Sequence, residues 1–235
     1  MPAILNIETS TSVCSCALSL NGELILNKES FEGQSHATLL GVYVEEVMMF
    51  IRNNNIALDA IAVSAGPGSY TGLRIGVSEA KGLAYGLDIP LIAIPTPLLM
   101  ASIAKNNIPS PQALLCPMID ARRMEVYATI FDTSLNEVRE TSADIIDENS
   151  YADLLEKQTI FFFGNGAEKC KALLSHPNAQ FIKDIHPLAS GMTPLAEKAF
   201  VDKNFVDTAY FEPNYLKKYV AIVGKNKVLG TNKVK

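Results

Sequence analysis

A glycine-rich loop at residues 66–74 is the segment of this sequence that is best suited to chemistry. It has the sequence GPGSYTGLR and stands between a predicted strand and a predicted helix. Backbone N–H groups and the dipole at a helix N-terminus favour an anion, and glycines allow a ligand to approach the backbone. The spacing matches neither GxGxxG nor the GK[ST] ending of a P-loop. Two interpretations stay open: an anion site, or a tight connection in which Ser69 or Thr71 caps the helix.

The other polar groups give weaker signals for chemistry. Residues 8–12 (ETSTS) lie between the first two predicted strands, and their hydroxyl groups fit either a phosphate or the backbone of their own turn. The only histidines are His36, His176 and His186, and no two of them have the spacing that grips a metal ion from one helix face. We expect His36 to be a surface or capping residue.

The four cysteines indicate a reducing compartment rather than a reactive centre. Cys14 and Cys16 are too close for a CxxC pair, and Cys116 lies in an apolar strand pattern, where a thiol is inert. The first residues lack the basic region of a signal peptide, and no apolar run approaches the ~20 residues of a membrane span. We therefore expect a cytoplasmic protein with no metal site and no membrane segment.

The charge is unevenly distributed along the chain. The 235 residues include 20 basic and 25 acidic side chains, a net charge of −5. Residues 217–235 hold six lysines and no acidic residue, which leaves 14 basic and 25 acidic residues, a net −11, in the rest. Nucleic-acid binding driven by overall charge is therefore disfavoured. The basic tail is either solvated or a contact for phosphates.

Strand and helix patterns alternate in the first third of the chain, which is typical of an α/β fold. Asn21-Gly22 predicts a hairpin between the second and third strands. A linker composition at 106–112 (NNIPSPQ) separates a first lobe at 1–106 from a second lobe at 107–235. We predict strands at 4–7, 13–20, 23–29, 58–65, 91–94, 113–119, 125–131 and 160–163, and helices at 35–52, 72–87, 97–105 and 194–202.

The predicted helix at 35–52 carries more apolar surface than one sheet requires. Val42 and Met49 fall on its far side, between polar positions. Such an excess indicates a partner surface, or a helix that is well covered by its own protein. The face that would cover a sheet is formed by Ala37, Leu40, Val44, Val47, Met48 and Ile51, extended by Leu39, Tyr43 and Phe50.

The predicted helix at 72–87 carries small residues at helical spacing. A glycine inside a helix costs about 1 kcal/mol relative to alanine, so the close approach of another helix is a natural compensation. The alternative is close packing on its own sheet. If another helix does approach closely, we expect the helices at 35–52 and 72–87 to pair with their copies in a partner as a four-helix contact. The small residues form two rows, Gly76, Ala80, Ala84 and Ser78, Gly82, Gly86.

Several motifs, in order along the chain, resemble one family. The family is TsaB (YeaZ), the dimerisation subunit of the bacterial machinery that makes N6-threonylcarbamoyladenosine in tRNA. The resemblance covers nearly the whole chain and is most specific at 62–94. The matching segments are ILNIETSTSVCSCAL at 4–18, AVSAGPGSYTGLRIGVSEAKGLAYGLDIPLIAI at 62–94, DARRMEVYA at 120–128, GNGAEK at 164–169 and EPNYLKK at 212–218.

The resemblance implies an actin-like ATPase (ASKHA) fold with two ribonuclease-H-like lobes. It also implies kinship with the catalytic subunit TsaD, whose pattern has a metal-binding histidine pair on a helix. The helix where we would seek that pair, TPLLMASIAK at 96–105, has no histidine, and the first turn offers Glu8 without a glycine. The implied role is a non-catalytic scaffold, without a cofactor, that supports threonylcarbamoyl transfer and does not perform it.

The same resemblance implies the partners. The chain would bind a TsaD-like catalytic paralogue through its two first-lobe helices, with a TsaE-like ATPase in the same complex and tRNA as the substrate. A homodimer through the same helices is expected when the paralogue is absent. The predicted interface residues are Leu39, Val42, Tyr43, Glu46, Met49, Arg74, Val77, Ser78, Lys81 and Tyr85.

Two other functions remain alternatives. The loop at 66–74 and the turn at 8–12 fit a small actin-like kinase or, with less support, a metallopeptidase. A kinase or ATPase of this type predicts nucleotide binding by the isolated chain. The six lysines at 217–235 fit a direct and strongly salt-dependent contact with tRNA phosphates.

Overall fold

The computed structural model describes residues 2–33 and 35–216 as two lobes, each built around one five-stranded sheet. The lysines of residues 217–235, and with them the predicted contact of this tail with tRNA, lie outside the described residues. In the described part of the chain, no helix is long and apolar enough to cross a membrane.

The first sheet combines an antiparallel hairpin with parallel strands. Its strands are β1 (Ala3–Glu8), β2 (Cys14–Leu20), β3 (Glu23–Ser30), β4 (Ala60–Gly66) and β5 (Leu91–Pro95), in the spatial order β3-β2-β1-β4-β5. β1 runs antiparallel to β2 and parallel to β4. The hairpin predicted at Asn21-Gly22 is confirmed, because both residues have the positive φ that a two-residue turn needs, 57° and 78°.

Two long helices cover one face of this sheet. α1 (His36–Asn53) follows β3, and α2 (Tyr70–Leu87) follows β4. Both bury an apolar stripe against Leu5, Ile7 and Val63 of the sheet. In each helix, apolar residues at helical spacing form a stripe that faces the sheet. The two helices therefore lie side by side, in contact with each other, on the same face of the sheet.

The second sheet repeats the order of the first. Its strands are β6 (Leu114–Asp120), β7 (Glu125–Phe131), β8 (Glu137–Ile145), β9 (Ile160–Phe163) and β10 (Ala179–Ile182), in the order β10-β9-β6-β7-β8. β6 is antiparallel to β7 and parallel to β9, as β1 is to β2 and β4. Two single-turn helices, α4 (Ala152–Leu155) and α5 (Ala167–Cys170), flank β9.

Helix α3 (Thr96–Ala104) lies between the two sheets. Leu99 packs with the first sheet, whereas Met100 and Ala101 pack with Leu115 and Phe163 of the second. After β10, a 3₁₀ turn (Ala189–Met192) and α6 (Thr193–Val201) return to the first sheet. Along the chain, the linker composition at 106–112 therefore falls after the last strand of the first sheet and before the first strand of the second. The last described residues cross back to the first lobe.

The strands and helices that we predicted are all present, with ends within two residues of the prediction. The prediction did not include β8, β10, α4 and α5. β8 lies at a sheet edge and alternates exposed with half-covered side chains, so its composition is close to that of a loop. β10 has only four residues, too few to establish a period.

A polar network fixes the edge strand β8. The carboxylate of Asp144 accepts hydrogen bonds from Arg139 Nη1 at 3.1 Å and Nη2 at 2.5 Å, from Ser142 Oγ at 2.6 Å and from Tyr151 Oη at 2.6 Å. Burial favours the neutral acid, but these donors outweigh it and hold the pKa of Asp144 below its usual value. The Tyr151 bond also ties the loop before α4 to the sheet.

We predict that Asp144→Asn lowers the free energy of unfolding by about 2 kcal/mol at neutral pH, because the network loses its charge-assisted bonds. A carboxyl whose pKa is lowered by folding stabilises the native state above its unfolded pKa, and this contribution is lost as the pH falls through the carboxyl range. Urea unfolding at pH 7 and pH 3 should therefore show a smaller difference between variant and parent at pH 3. The exposed Asp153, changed to Asn, serves as the control. An equal loss at both pH values would refute the charged network.

Candidate functional site

A cleft of about 980 Å³ separates the two lobes. The first lobe contributes the turn after β1 and the loop before α2, which are the two polar segments that the sequence singled out. The second lobe contributes the β6–β7 hairpin and Asn165, which follows β9. Asn214, Tyr215 and Leu216, the last described residues, also line the cleft.

The loop before α2 packs tightly against the turn after β1. Of the two capping candidates, Ser69 and Thr71, it is Ser69 that caps α2, since its Oγ accepts a hydrogen bond from Gly72 N at 3.2 Å. Ser69 N donates to Ser10 O at 2.7 Å, and Thr9 Oγ1 donates to Gly72 O at 2.8 Å. A Cβ at Gly68 would lie 2.2 Å from Ser10 O, so this glycine is needed for the contact between the segments. This geometry favours the tight-connection interpretation over a loop opened towards a ligand.

Glu8 lies at the base of this arrangement, fully buried. One oxygen of its carboxyl accepts a hydrogen bond from Ser10 N. Burial raises the pKa of Glu8, and the hydrogen bond from the Ser10 backbone N–H partly opposes that rise. The other carboxyl oxygen has no partner among the described residues. Glu8 is therefore enclosed by residues of the first lobe, and its raised pKa favours the neutral carboxyl group.

The environment of His36 corrects one expectation. We expected a surface or capping residue, but His36 is buried and its Nε2 lies 3.1 Å from Val13 O. The first turn of α1 packs over the turn after β1, which the helical pattern alone does not reveal. Ser35 does precede the helix, yet its hydroxyl donates to Glu32 O at 2.6 Å and makes no cap to the helix backbone.

All four cysteines are free and buried. Burial raises the pKa of Cys14 to about 11, and it raises that of Cys16 and Cys116 further. Thiols of this kind are poor nucleophiles, as the sequence indicated. In the described part of the chain, no three His, Cys, Asp or Glu side chains lie together in a way that could hold a metal ion.

The outward faces of α1 and α2 form the second candidate site, which we call the helix face. Val42, Met49 and Tyr85 expose 47%, 44% and 84% of their surface. Arg74 and Ser78 are also exposed. Leu39, Tyr43, Glu46 and Lys81 are half-buried, and Val77 is buried in the core of the first lobe. Nine of the ten predicted residues therefore have surface on the helix face, whereas Val77 points to the sheet.

The mid-helix glycines separate into two groups. A Cβ at Gly76 would lie 2.2 Å from Thr9 Oγ1, so packing on its own lobe explains this glycine. A Cβ at Gly82 or Gly86 would meet nothing within 4 Å, and the same is true of Gly41 on α1. Packing within the first lobe therefore explains the row that begins at Gly76. The row that contains Gly82 and Gly86 has no such contact to explain its glycines. The sequence analysis missed Gly41, although a glycine inside a predicted helix was a visible signal.

Two charged residues of the predicted interface also have partners within the chain. Lys81 Nζ donates to Ala209 O at 3.0 Å and to Phe211 O at 2.9 Å, so it holds the segment after α6 against α2. Glu46 forms an ion pair with Lys28 at 2.5 Å. No pattern in the sequence relates Lys81 to residues more than a hundred positions away.

Comparisons with known proteins match this architecture. A family model described as "TsaD: tRNA N6-adenosine threonylcarbamoyltransferase" matches residues 30–225. The tRNA threonylcarbamoyladenosine biosynthesis protein TsaB of Escherichia coli is 30% identical over 228 residues, 93% of this chain and 96% of the relative. Its namesake from Haemophilus influenzae is 28% identical over 92% of this chain and 94% of the relative. The solved structure of YeaZ from Pseudomonas aeruginosa, 23% identical, has a TM-score of 0.76 and covers 92% of this chain and 100% of that chain.

Two lobes with one repeated strand order, facing each other across a cleft, define an actin-like ATPase (ASKHA) fold with ribonuclease-H-like lobes. The resemblance seen in the sequence is confirmed at this level. Similarity over nearly the full length then specifies the family: the chain belongs to the TsaB (YeaZ) family.

We predict opposite effects for alanine at two glycines of α2. Gly82→Ala should raise the free energy of unfolding of the monomer by up to about 1 kcal/mol, because the site is open and alanine is the better helix former. Gly76→Ala should lower it, because the new methyl group collides with Thr9. Denaturant unfolding at a concentration where the chain is monomeric measures both. Destabilisation by both variants would show that Gly82 is also packed within its own lobe.

Proposed function

We propose that this chain is a non-catalytic scaffold subunit of the assembly that forms N6-threonylcarbamoyladenosine in tRNA. In this proposal it binds a TsaD-like catalytic paralogue through the helix face, a TsaE-like ATPase joins the complex, and tRNA is the substrate. The name of the E. coli relative and the match to the TsaD family model support the pathway. The observation that carries the scaffold role is the helix face itself, with its exposed apolar side chains and open glycines.

The helix face has the properties of a protein interface. Val42 and Met49 lie at i and i+7, so they stand on one side of α1, and each exposes nearly half of its surface. Gly82 and Gly86 give α2 a smooth outer side, which allows the backbone of another helix to approach closely. Without a partner each of these glycines costs about 1 kcal/mol with no compensating contact. A pair of helices from a second protein would supply that contact.

The similarity to the TsaD family supports the choice of partner. An isologous contact uses the same patch on both subunits, so a paralogue of the same fold is able to replace one copy of a homodimer. We therefore propose that the chain forms a homodimer through the helix face when alone, and that the TsaD-like paralogue competes with this dimer. Both assemblies would then respond to the same substitutions.

The interior position of α3 supports a non-catalytic role. This helix carries the apolar residues Leu99, Met100 and Ala101, which fill the space between the sheets and are fully buried. In this protein α3 packs against both sheets. Glu8, at the end of β1, is fully buried, and burial raises its pKa and so favours its neutral form.

The direct test is a reconstituted tRNA threonylcarbamoylation assay with the cognate partners, run with and without this chain. We expect activity to require the chain, while the chain alone turns over no substrate. Full activity of the partners without it would refute the scaffold role. Calorimetry of the isolated chain with ATP tests the kinase alternative, for which we expect no micromolar binding.

We predict that Val42→Lys combined with Met49→Lys weakens association with the TsaD-like partner at least about tenfold, because two ammonium groups would be buried in an apolar contact. The same variant should be monomeric by sedimentation and should lose threonylcarbamoylation activity in proportion. The matched control is Val138→Lys with Ile145→Lys, which changes two apolar residues on the edge strand β8 that are at least as exposed as Val42 and Met49. Unchanged association and activity in the α1 variant would show that the helix face is not the interface.

A further inference from the structure

The hairpin between β6 and β7 has an unusual conformation for its sequence. Arg122 and Arg123 have φ values of 69° and 49°, so two successive bulky residues occupy the left-handed region. Positive φ is adopted most readily by glycine and, among the other residues, by asparagine. The protein therefore maintains two arginines where asparagine and glycine would fit with less strain, and such strain commonly marks a functional segment.

Lys169 holds the hairpin in this conformation. Its Nζ donates to Arg123 O and to Glu125 O, each at 2.7 Å, and pairs with the carboxylate of Asp120. The other Asp120 contacts complete the arrangement, since Asp120 Oδ1 accepts from Arg122 N at 3.2 Å and Asp120 N donates to Asn165 Oδ1 at 3.0 Å. The backbone of the turn is thus fixed by side chains, and the carboxylate of Asp120 is already paired with the ammonium group of Lys169.

The two arginine side chains are exposed and available. Among the residues that the structure describes, neither guanidinium has a hydrogen bond or an ion pair. Arg122 lines the interlobe cleft, and so does Leu216, the last described residue. In the sequence Lys217 and Lys218 follow directly. The exposed arginine pair therefore stands on the second-lobe side of the cleft, with Arg122 in its lining.

We propose that Arg122 and Arg123 bind backbone phosphates of tRNA in the assembled complex. Guanidinium groups match phosphate oxygens in a two-pronged geometry, and a rigid turn presents them without loss of backbone freedom. Residues 1–216, these two arginines included, have a net charge of −11, so a polyanion needs a local cationic contact to approach this surface. Adjacent arginines at an open rim suit a polymer with successive phosphates better than a mononucleotide enclosed in the cleft. This inference rests on the proposed function.

The test removes both guanidinium groups without disturbing the turn. In Arg122→Asn with Arg123→Gly both residues become types that adopt positive φ more readily than arginine, so the variant should fold at least as stably as the parent. The complex with the TsaD-like partner is first verified by size-exclusion chromatography, and binding of unmodified tRNA transcript is then titrated at several salt concentrations. We expect affinity to fall at least about fivefold at 0.15 M salt, and the slope of log K against log salt to fall by between about 1 and 2.

Two further variants make the result specific. Arg122→Lys with Arg123→Lys keeps both charges and should retain most of the salt slope. Lys105→Gln with Lys157→Gln removes two exposed charges from the connections that enter β6 and β9, away from the hairpin, and should leave tRNA affinity unchanged. If the variant Arg122→Asn with Arg123→Gly binds tRNA like the parent, the proposal is refuted. If it keeps its tRNA affinity but the complex loses affinity for ATP in a parallel titration, the arginines are assigned to a mononucleotide instead. Failure of the parent chain to form the complex would refute the proposed function and not this assignment.

Discussion

The start of α2 is fixed to the turn after β1 by contacts that leave no room for a side chain. Thr9 and Ser10 provide the acceptors and donors, and Gly68, Gly72 and Gly76 present bare backbone to them. This packing sets the position of α2 on the sheet, and the loop before α2 lines the cleft as a tight connection. The glycines of the most distinctive motif thus work mainly within the lobe.

The position of α2 then decides which residues form the outer surface of the first lobe. α1 lies beside it, and both helices bury one stripe against the sheet and turn the opposite side outward. That outward side combines apolar side chains with glycines that touch nothing in the chain. An isolated domain gains nothing from such residues, because the glycines weaken the helix and the apolar groups remain in water.

Two lysines perform the same physical task on different elements. Lys81 satisfies carbonyl groups of the segment after α6, and Lys169 satisfies carbonyl groups of the β6–β7 hairpin. An ammonium group offers three donors and no acceptor, so one lysine is able to organise a turn of irregular backbone. In this way both segments, each of which contributes residues to the cleft, are held without regular secondary structure.

The sequence by itself determined most of the strands and helices and the family, because local patterns carry that information. Hydrophobic periodicity and the Asn21-Gly22 turn are short-range features, and each appears in the structure where it was predicted, while Ser69 is one of the two capping residues that the sequence left open. The helical wheel likewise identified Val42 and Met49 as outward-facing.

Only the tertiary structure decided which residues serve the protein's interior. It showed that Gly76 packs on Thr9 while Gly82 stays open, although both are glycines in one helix. It placed His36 in the interior and connected Lys81 to the segment after α6. These outcomes depend on contacts between residues distant in sequence, and such contacts exist only once both elements have packed on the same sheet.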